Sequence, residues 1–157
     1  MDFFEKLFSN HALWASVIAW AFSQLSKFII NLLLEKKIDF KRMFGDGGMP
    51  SGHSATVMCL AVMCGWSAGF DSLIFAVAMM FAIVVMHDAT GVRREAGKHA
   101  ASIKELADAV NQTFLGENHE IRTENLKLLV GHTPIQVFFG ALTGILVAII
   151  YILILTN

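Results

Sequence analysis

Four groups of residues in this 157-residue chain have types and spacings suited to handling an anion. The first is the run Gly45-Asp46-Gly47-Gly48-Met49-Pro50-Ser51-Gly52-His53-Ser54, just ahead of an apolar stretch. Glycine and proline break the chain there. Backbone N–H groups at the start of the following helix would form an anion site, and glycine lets a phosphate approach closely. Ser51 and Ser54 could cap that helix or donate to a phosphate oxygen, and His53 in the first turn could protonate a leaving oxygen. An ordinary capped turn at a membrane surface uses the same residues, and composition alone does not separate the two.

The second group is His87-Asp88-Ala89-Thr90-Gly91-Val92-Arg93-Arg94-Glu95. Adjacent arginines can fork onto phosphate oxygens, and Asp88 can orient an arginine or a histidine. A charge cluster ending a membrane span and reaching for headgroups is the structural alternative. The third is Gly131-His132-Thr133-Pro134-Ile135-Gln136. Here Thr133 fits a helix N-cap, Pro134 the first helical position and Gln136 the third, which together make a capping box. That accounts for three residues without chemistry. It leaves His132 just outside the helix as a nucleophile towards phosphorus, an acid–base group or an exposed side chain. The fourth is Lys27, in Gln24-Leu25-Ser26-Lys27-Phe28-Ile29. An ionisable residue within an apolar span is costly and so a functional candidate, with snorkelling to the interface as the alternative.

The elements that must position these groups are apolar helices. The chain is 55% hydrophobic and 16% charged, with a mean hydropathy of +0.59. A soluble domain carries about a quarter charged residues. The sequence therefore reads as a single all-α membrane domain, a bundle of four transmembrane helices at 13–34, 54–69, 72–86 and 135–155. The two middle spans form a hairpin around Phe70-Asp71, and a polar region follows at 88–134. Within that region, 96–110 has helix-forming composition, with Ile103, Leu106, Ala107 and Val110 on one side. A loop holding His119 and a second short helix would lead into Gly131.

The start, Met1-Asp2-Phe3-Phe4-Glu5-Lys6, lacks the basic region and cleavage site of a signal peptide, so the first apolar segment is expected to stay as an anchor. Cys59 and Cys64 lie in an apolar stretch on different sides of a helix and read as packing residues. A net charge of −1 suggests no nucleic-acid partner, and self-association stays open. Ten of the twelve basic residues fall in the 35–52 and 88–134 loops: Lys36, Lys37, Lys41, Arg42, Arg93, Arg94, Lys98, Lys104, Arg122 and Lys127. The excess of lysine and arginine on the cytoplasmic side of membrane proteins puts both loops there and both termini outside, in a multi-pass protein of the cell membrane.

Taken together, the motifs 47–55, 88–94 and 131–134 resemble the divergent branch of the type 2 phosphatidic acid phosphatases, relatives of acid phosphatases and vanadium-dependent haloperoxidases. Members of the main branch of the type 2 phosphatases hydrolyse phosphomonoesters without a metal through a phosphohistidine. They use a lysine motif, a Pro-Ser-Gly-His motif, and a third motif of arginine, histidine and, four residues later, aspartate. Pro50-Ser51-Gly52-His53 is intact here, but Gln136 stands four residues after His132 where the carboxylate would be.

The resemblance implies a cofactor-free lipid phosphatase working at the cytoplasmic leaflet. Its substrate would be of the phosphatidylglycerol phosphate or phosphatidic acid type. Lys27 (or Lys41), Arg93, Arg94 and the Ser51 and Gly52 amides would hold the phosphoryl oxygens. His132 would attack, His53 would protonate the leaving oxygen, and Asp88 would take over as the histidine's orienter. One alternative is a non-catalytic protein that binds an anionic headgroup with the same cluster. Another is a metal site built from His53, His87, Asp88 and His132, residue types that suit zinc but show no close-spaced ligand motif.

Overall fold

The computed structural model describes residues 2–35, 48–114 and 132–157. Lys36, Lys37, Lys41, Arg42, Gly45, Asp46, Gly47, His119, Arg122, Lys127, Gly131 and the expected short helix before Gly131 lie outside the described residues. What is described is all helical: α1 (Phe3–Phe8), α2 (His11–Glu35), α3 (Gly52–Ala68), α4 (Leu73–Thr90), α5 (Val92–Phe114) and α6 (Pro134–Thr156).

Several helix starts have a local cause. Asp2 and Glu5 form a capping box on α1, and Ser51 and Ser72 cap α3 and α4 through their side chains. The Thr133–Gln136 capping box with Pro134 in the first turn opens α6, as the sequence predicts. Among the described residues, three stretches are long and apolar enough to cross a membrane: His11–Leu33, the apolar part of Leu73–Asn111, and Pro134–Thr156. At 17 residues α3 is shorter, yet it lies at the centre and packs against α2, α4 and α6. The chain is therefore an all-α, multi-pass membrane protein.

Small residues let the helices close on one another. The innermost cluster is Ala15, Ala19, Cys59, Met63 and Ala148, with Tyr151 packed against it. Between α3 and α6 the approach is closer still. A Cβ on Gly140 would run into the Ser51 carbonyl, and one on Gly144 into the backbone of Ala55. Gly140 and Gly144 form the small-xxx-small pattern through which membrane helices pack without a hydrophobic drive between them. Large apolar side chains such as Leu73, Val77, Phe81, Phe138 and Ile150 point outward, as a lipid-facing surface requires.

The observed bounds differ from the expected ones at functional ends. The third apolar helix runs on to Thr90, past the expected 86, so Asp88 is in its last turn rather than in a loop. The amphipathic helix is longer than 96–110, and its packing face is the small one. Gly97, Ala100 and Ala107 are buried while Ile103 and Leu106 are exposed.

The two ends of the bundle are distinct. At one end the His11 ring lies 3.3 Å from the Tyr151 hydroxyl, which brings the start of α2 beside the last turns of α6. At the other, the C-terminal part of α2 and the end of α4 meet the starts of α3 and α6.

Candidate functional site

That second end is assembled around two backbone hydrogen bonds. The Ser51 N–H donates to the Gln136 carbonyl at 3.0 Å, tying the start of α3 to the first turn of α6. The His132 N–H donates to the Ala89 carbonyl at 3.0 Å, tying the residue before α6 to the last turn of α4. Three motifs far apart in sequence thus share one end of the bundle.

Lys27 enters from α2. It is 3% exposed, so its side chain is enclosed by the protein rather than extended into solvent. A Cβ built on Gly52, the first residue of α3, would lie 3.9 Å from Lys27 Nζ, 3.9 Å from Gln24 Nε2 and 3.6 Å from Trp20 Cδ1. The ammonium therefore sits against the positive end of a helix, and the two together favour an anion. Gly48 has φ +94°, a conformation side chains rarely adopt, and it lies against the Lys27 stem.

Ser51 and Ser54 are fully buried and serve the cap. The Ser54 N–H and hydroxyl both donate to Ser51 Oγ, at 3.4 and 3.0 Å. Because the Ser51 N–H is taken by Gln136, the amides of the first turn left for an anion are those of Gly52 and His53. The His53 side chain is exposed.

His132 is 3% exposed, and its Nδ1 lies 3.3 Å from Gln136 Oε1. That oxygen also accepts the Thr133 N–H at 3.0 Å. The capping-box amide thus does a second job. An amide oxygen can only accept, so this contact favours the tautomer that carries its proton on Nδ1. Asp88 is half-buried, one residue before the Ala89 carbonyl that fixes His132.

Arg94 is exposed in the first turn of α5, a helix that packs chiefly on α4, and the Arg93 side chain lies outside the described residues. His53, His87, Asp88 and His132 do not assemble a metal site: among the described residues no three His, Cys, Asp or Glu side chains gather to hold an ion. His53 is on α3, His87 and Asp88 are in the last turn of α4, and His132 precedes α6. An open apolar groove of about 410 Å³ runs between α4 and α6, with Ile83, Met86, His87, Thr90, Pro134 and Phe138 in its walls.

Two further residues belong to this end without having been singled out from sequence. Gln24 and Trp20 face Gly52 beside Lys27. The legible signal was spacing: on a helix, positions 20, 24 and 27 share a face, and a buried amide in an apolar span needs a reason.

A profile of the Divergent PAP2 family matches residues 8–147. The chain belongs to that family. The resemblance carried by the motifs at 47–55, 88–94 and 131–134 is thus to the family that contains it. This Divergent PAP2 protein is 40% identical to "Uncharacterized membrane protein YuiD" of Bacillus subtilis (strain 168) over 152 residues, 92% of this chain and 96% of that one. No solved structure matches it.

Proposed function

We propose that this protein is a four-span, single-domain membrane phosphatase that hydrolyses a lipid phosphate monoester through a phosphohistidine on His132. One arrangement carries the reading. A buried lysine lies against the N-terminus of α3, and a buried histidine with its Nδ1 on an acceptor stands where α6 joins the same end.

The chemistry follows from these positions. Lys27 and the Gly52 and His53 amides hold the phosphoryl oxygens, and preorganised positive charge is the main device for phosphoryl transfer without a metal. Nε2 of His132 forms a bond to phosphorus as the ester P–O bond breaks, and His53 gives its proton to the departing lipid oxygen. Water then attacks phosphorus, His53 takes a proton from it, and the N–P bond breaks to release inorganic phosphate. Asp88 steadies the His132 region, and Arg93 and Arg94 add positive charge at the same end. The apolar groove between α4 and α6 suits an acyl chain of a lipid whose headgroup reaches His132.

As the fourth span, α3 would rise about 25 Å, at the short limit for crossing a bilayer. With four spans the site faces the cytoplasm and both termini face outward. A lipid made on the inner leaflet, of the phosphatidylglycerol phosphate or phosphatidic acid type, fits that placement.

A second reading has its own support. His53 is exposed and Gln136 is uncharged, so the same cradle could bind an anionic headgroup without turnover. The deciding experiment is phosphate release from both lipids by purified wild type and His132→Ala, with EDTA present. Release that persists in EDTA and vanishes in the variant supports the phosphatase. No release from either protein sinks it and leaves the headgroup-binding reading.

A further inference from the structure

Among the described residues, the Oε1 atom of Gln24 is buried and meets no hydrogen-bond donor. Leaving a buried acceptor unmatched is costly, so an orphan atom in a candidate site marks a position that a ligand or a water fills. Its placement narrows what the ligand can be. The other end of the same amide, Nε2, lies beside Gly52, with Lys27 Nζ at the same distance from that position. Gln24 therefore stands at the anion cradle with an acceptor to spare. A bare phosphoryl oxygen would be repelled by Oε1, whereas a hydroxyl would satisfy it.

We infer that Gln24 is a ligand-binding residue whose side-chain oxygen accepts a hydrogen bond from a hydroxyl adjoining the phosphoryl group held at Lys27. The inference rests on the anion site proposed above but not on turnover. It narrows the ligand to a phosphate monoester that offers a donor as well as oxygens. Two sources supply one: the acidic hydroxyl of a singly protonated phosphate, or an alcohol on the headgroup carbon next to the phosphate-bearing carbon. Phosphatidylglycerol phosphate carries such an alcohol. Phosphatidic acid, acylated at the equivalent carbon, does not.

The test is equilibrium binding of each lipid in mixed micelles to full-length protein carrying His132→Ala, so that turnover cannot intervene. Gln24→Leu is compared with its parent at pH 5 and pH 8, with thermal unfolding confirming that it folds. Gln24→Met, of closer length and flexibility, replaces it if it does not.

An affinity loss of about tenfold for phosphatidylglycerol phosphate at pH 8, with phosphatidic acid little changed, assigns the donor to the headgroup alcohol. A similar loss for both lipids at pH 5 that disappears at pH 8 assigns it to the phosphate, whose second pKa is about 6. Unchanged affinity for both lipids at both pH values overturns the inference and leaves Oε1 to a water. Failure of the parent to bind either lipid overturns it as well. If wild type releases no phosphate while binding still responds to Gln24, the phosphatase reading falls and this one stands.

Discussion

Gln136 sets an uncharged amide against His132, where the phosphatase motif that the sequence resembles has a carboxylate, and the difference has a specific consequence. An amide oxygen can fix the Nδ1 proton as a carboxylate does, but it brings no charge to stabilise an imidazolium. Gln136→Glu should therefore raise the His132 pKa and move the acidic limb of the phosphate-release profile to higher pH. An unchanged profile would mean that His132 is not the titrating nucleophile. Gln136→Leu removes the acceptor, and release should fall about tenfold to hundredfold, the range for a disrupted acid–base group. Lys27→Met keeps the stem buried and removes the charge beside Gly52. Its expected cost is about hundredfold in turnover, measured on the same lipids. A Lys27→Met protein with full activity would show that the ammonium serves only the fold.

Among the helices, α6 has most to lose from single changes, because its start carries His132 and its middle closes on α3. Thr133→Ala removes half of the capping box and should cost about 1 kcal/mol of stability, read as a lower unfolding midpoint. Gly144→Leu meets the backbone of Ala55 rather than a flexible side chain, so the two helices must separate. We expect at least the 1–3 kcal/mol typical of overpacking, with loss of activity as Ser51 moves away from Gln136. Wild-type stability and activity in Gly144→Leu would contradict the observed packing. On α5, Lys98 pairs with Glu95 at 2.6 Å and holds its carboxyl below the usual range. That contribution is present at neutral pH and fades as pH falls through the folded value. Both side chains are exposed, so the effect is small.

For the molecule as a whole, the contact between His11 and Tyr151 places the start of α2 and the end of α6 at the bundle end opposite Lys27 and His132. The four-span topology proposed above would produce that arrangement. In a background of Cys59→Ala and Cys64→Ala, Asp2→Cys and Asn157→Cys should react with an impermeant thiol reagent from outside the cell. Lys98→Cys should react only in inverted vesicles. Labelling of all three from one side would overturn the four-span topology and the cytoplasmic placement of the site.

Much of this was legible without coordinates. Helical class, membrane residence, the start of α6 at Thr133-Pro134-Ile135-Gln136 and the hairpin around Phe70-Asp71 are local properties. They follow from apolar run length, capping chemistry and turn residues close together in sequence. The family motifs were legible too, because side-chain type and order are written in the chain. Convergence was not. That Lys27 is buried against Gly52, that the Ser51 amide is spent on Gln136, and that His132 hangs from Ala89 are contacts between residues 25 to 85 positions apart. Such contacts depend on helix rotation and approach, which Gly140 and Gly144 set by allowing α6 close to α3. Gln24 went unnoticed for the same reason. Alone in sequence it is one polar residue in an apolar span, and it gains meaning only when packing seals its oxygen from water beside a lysine.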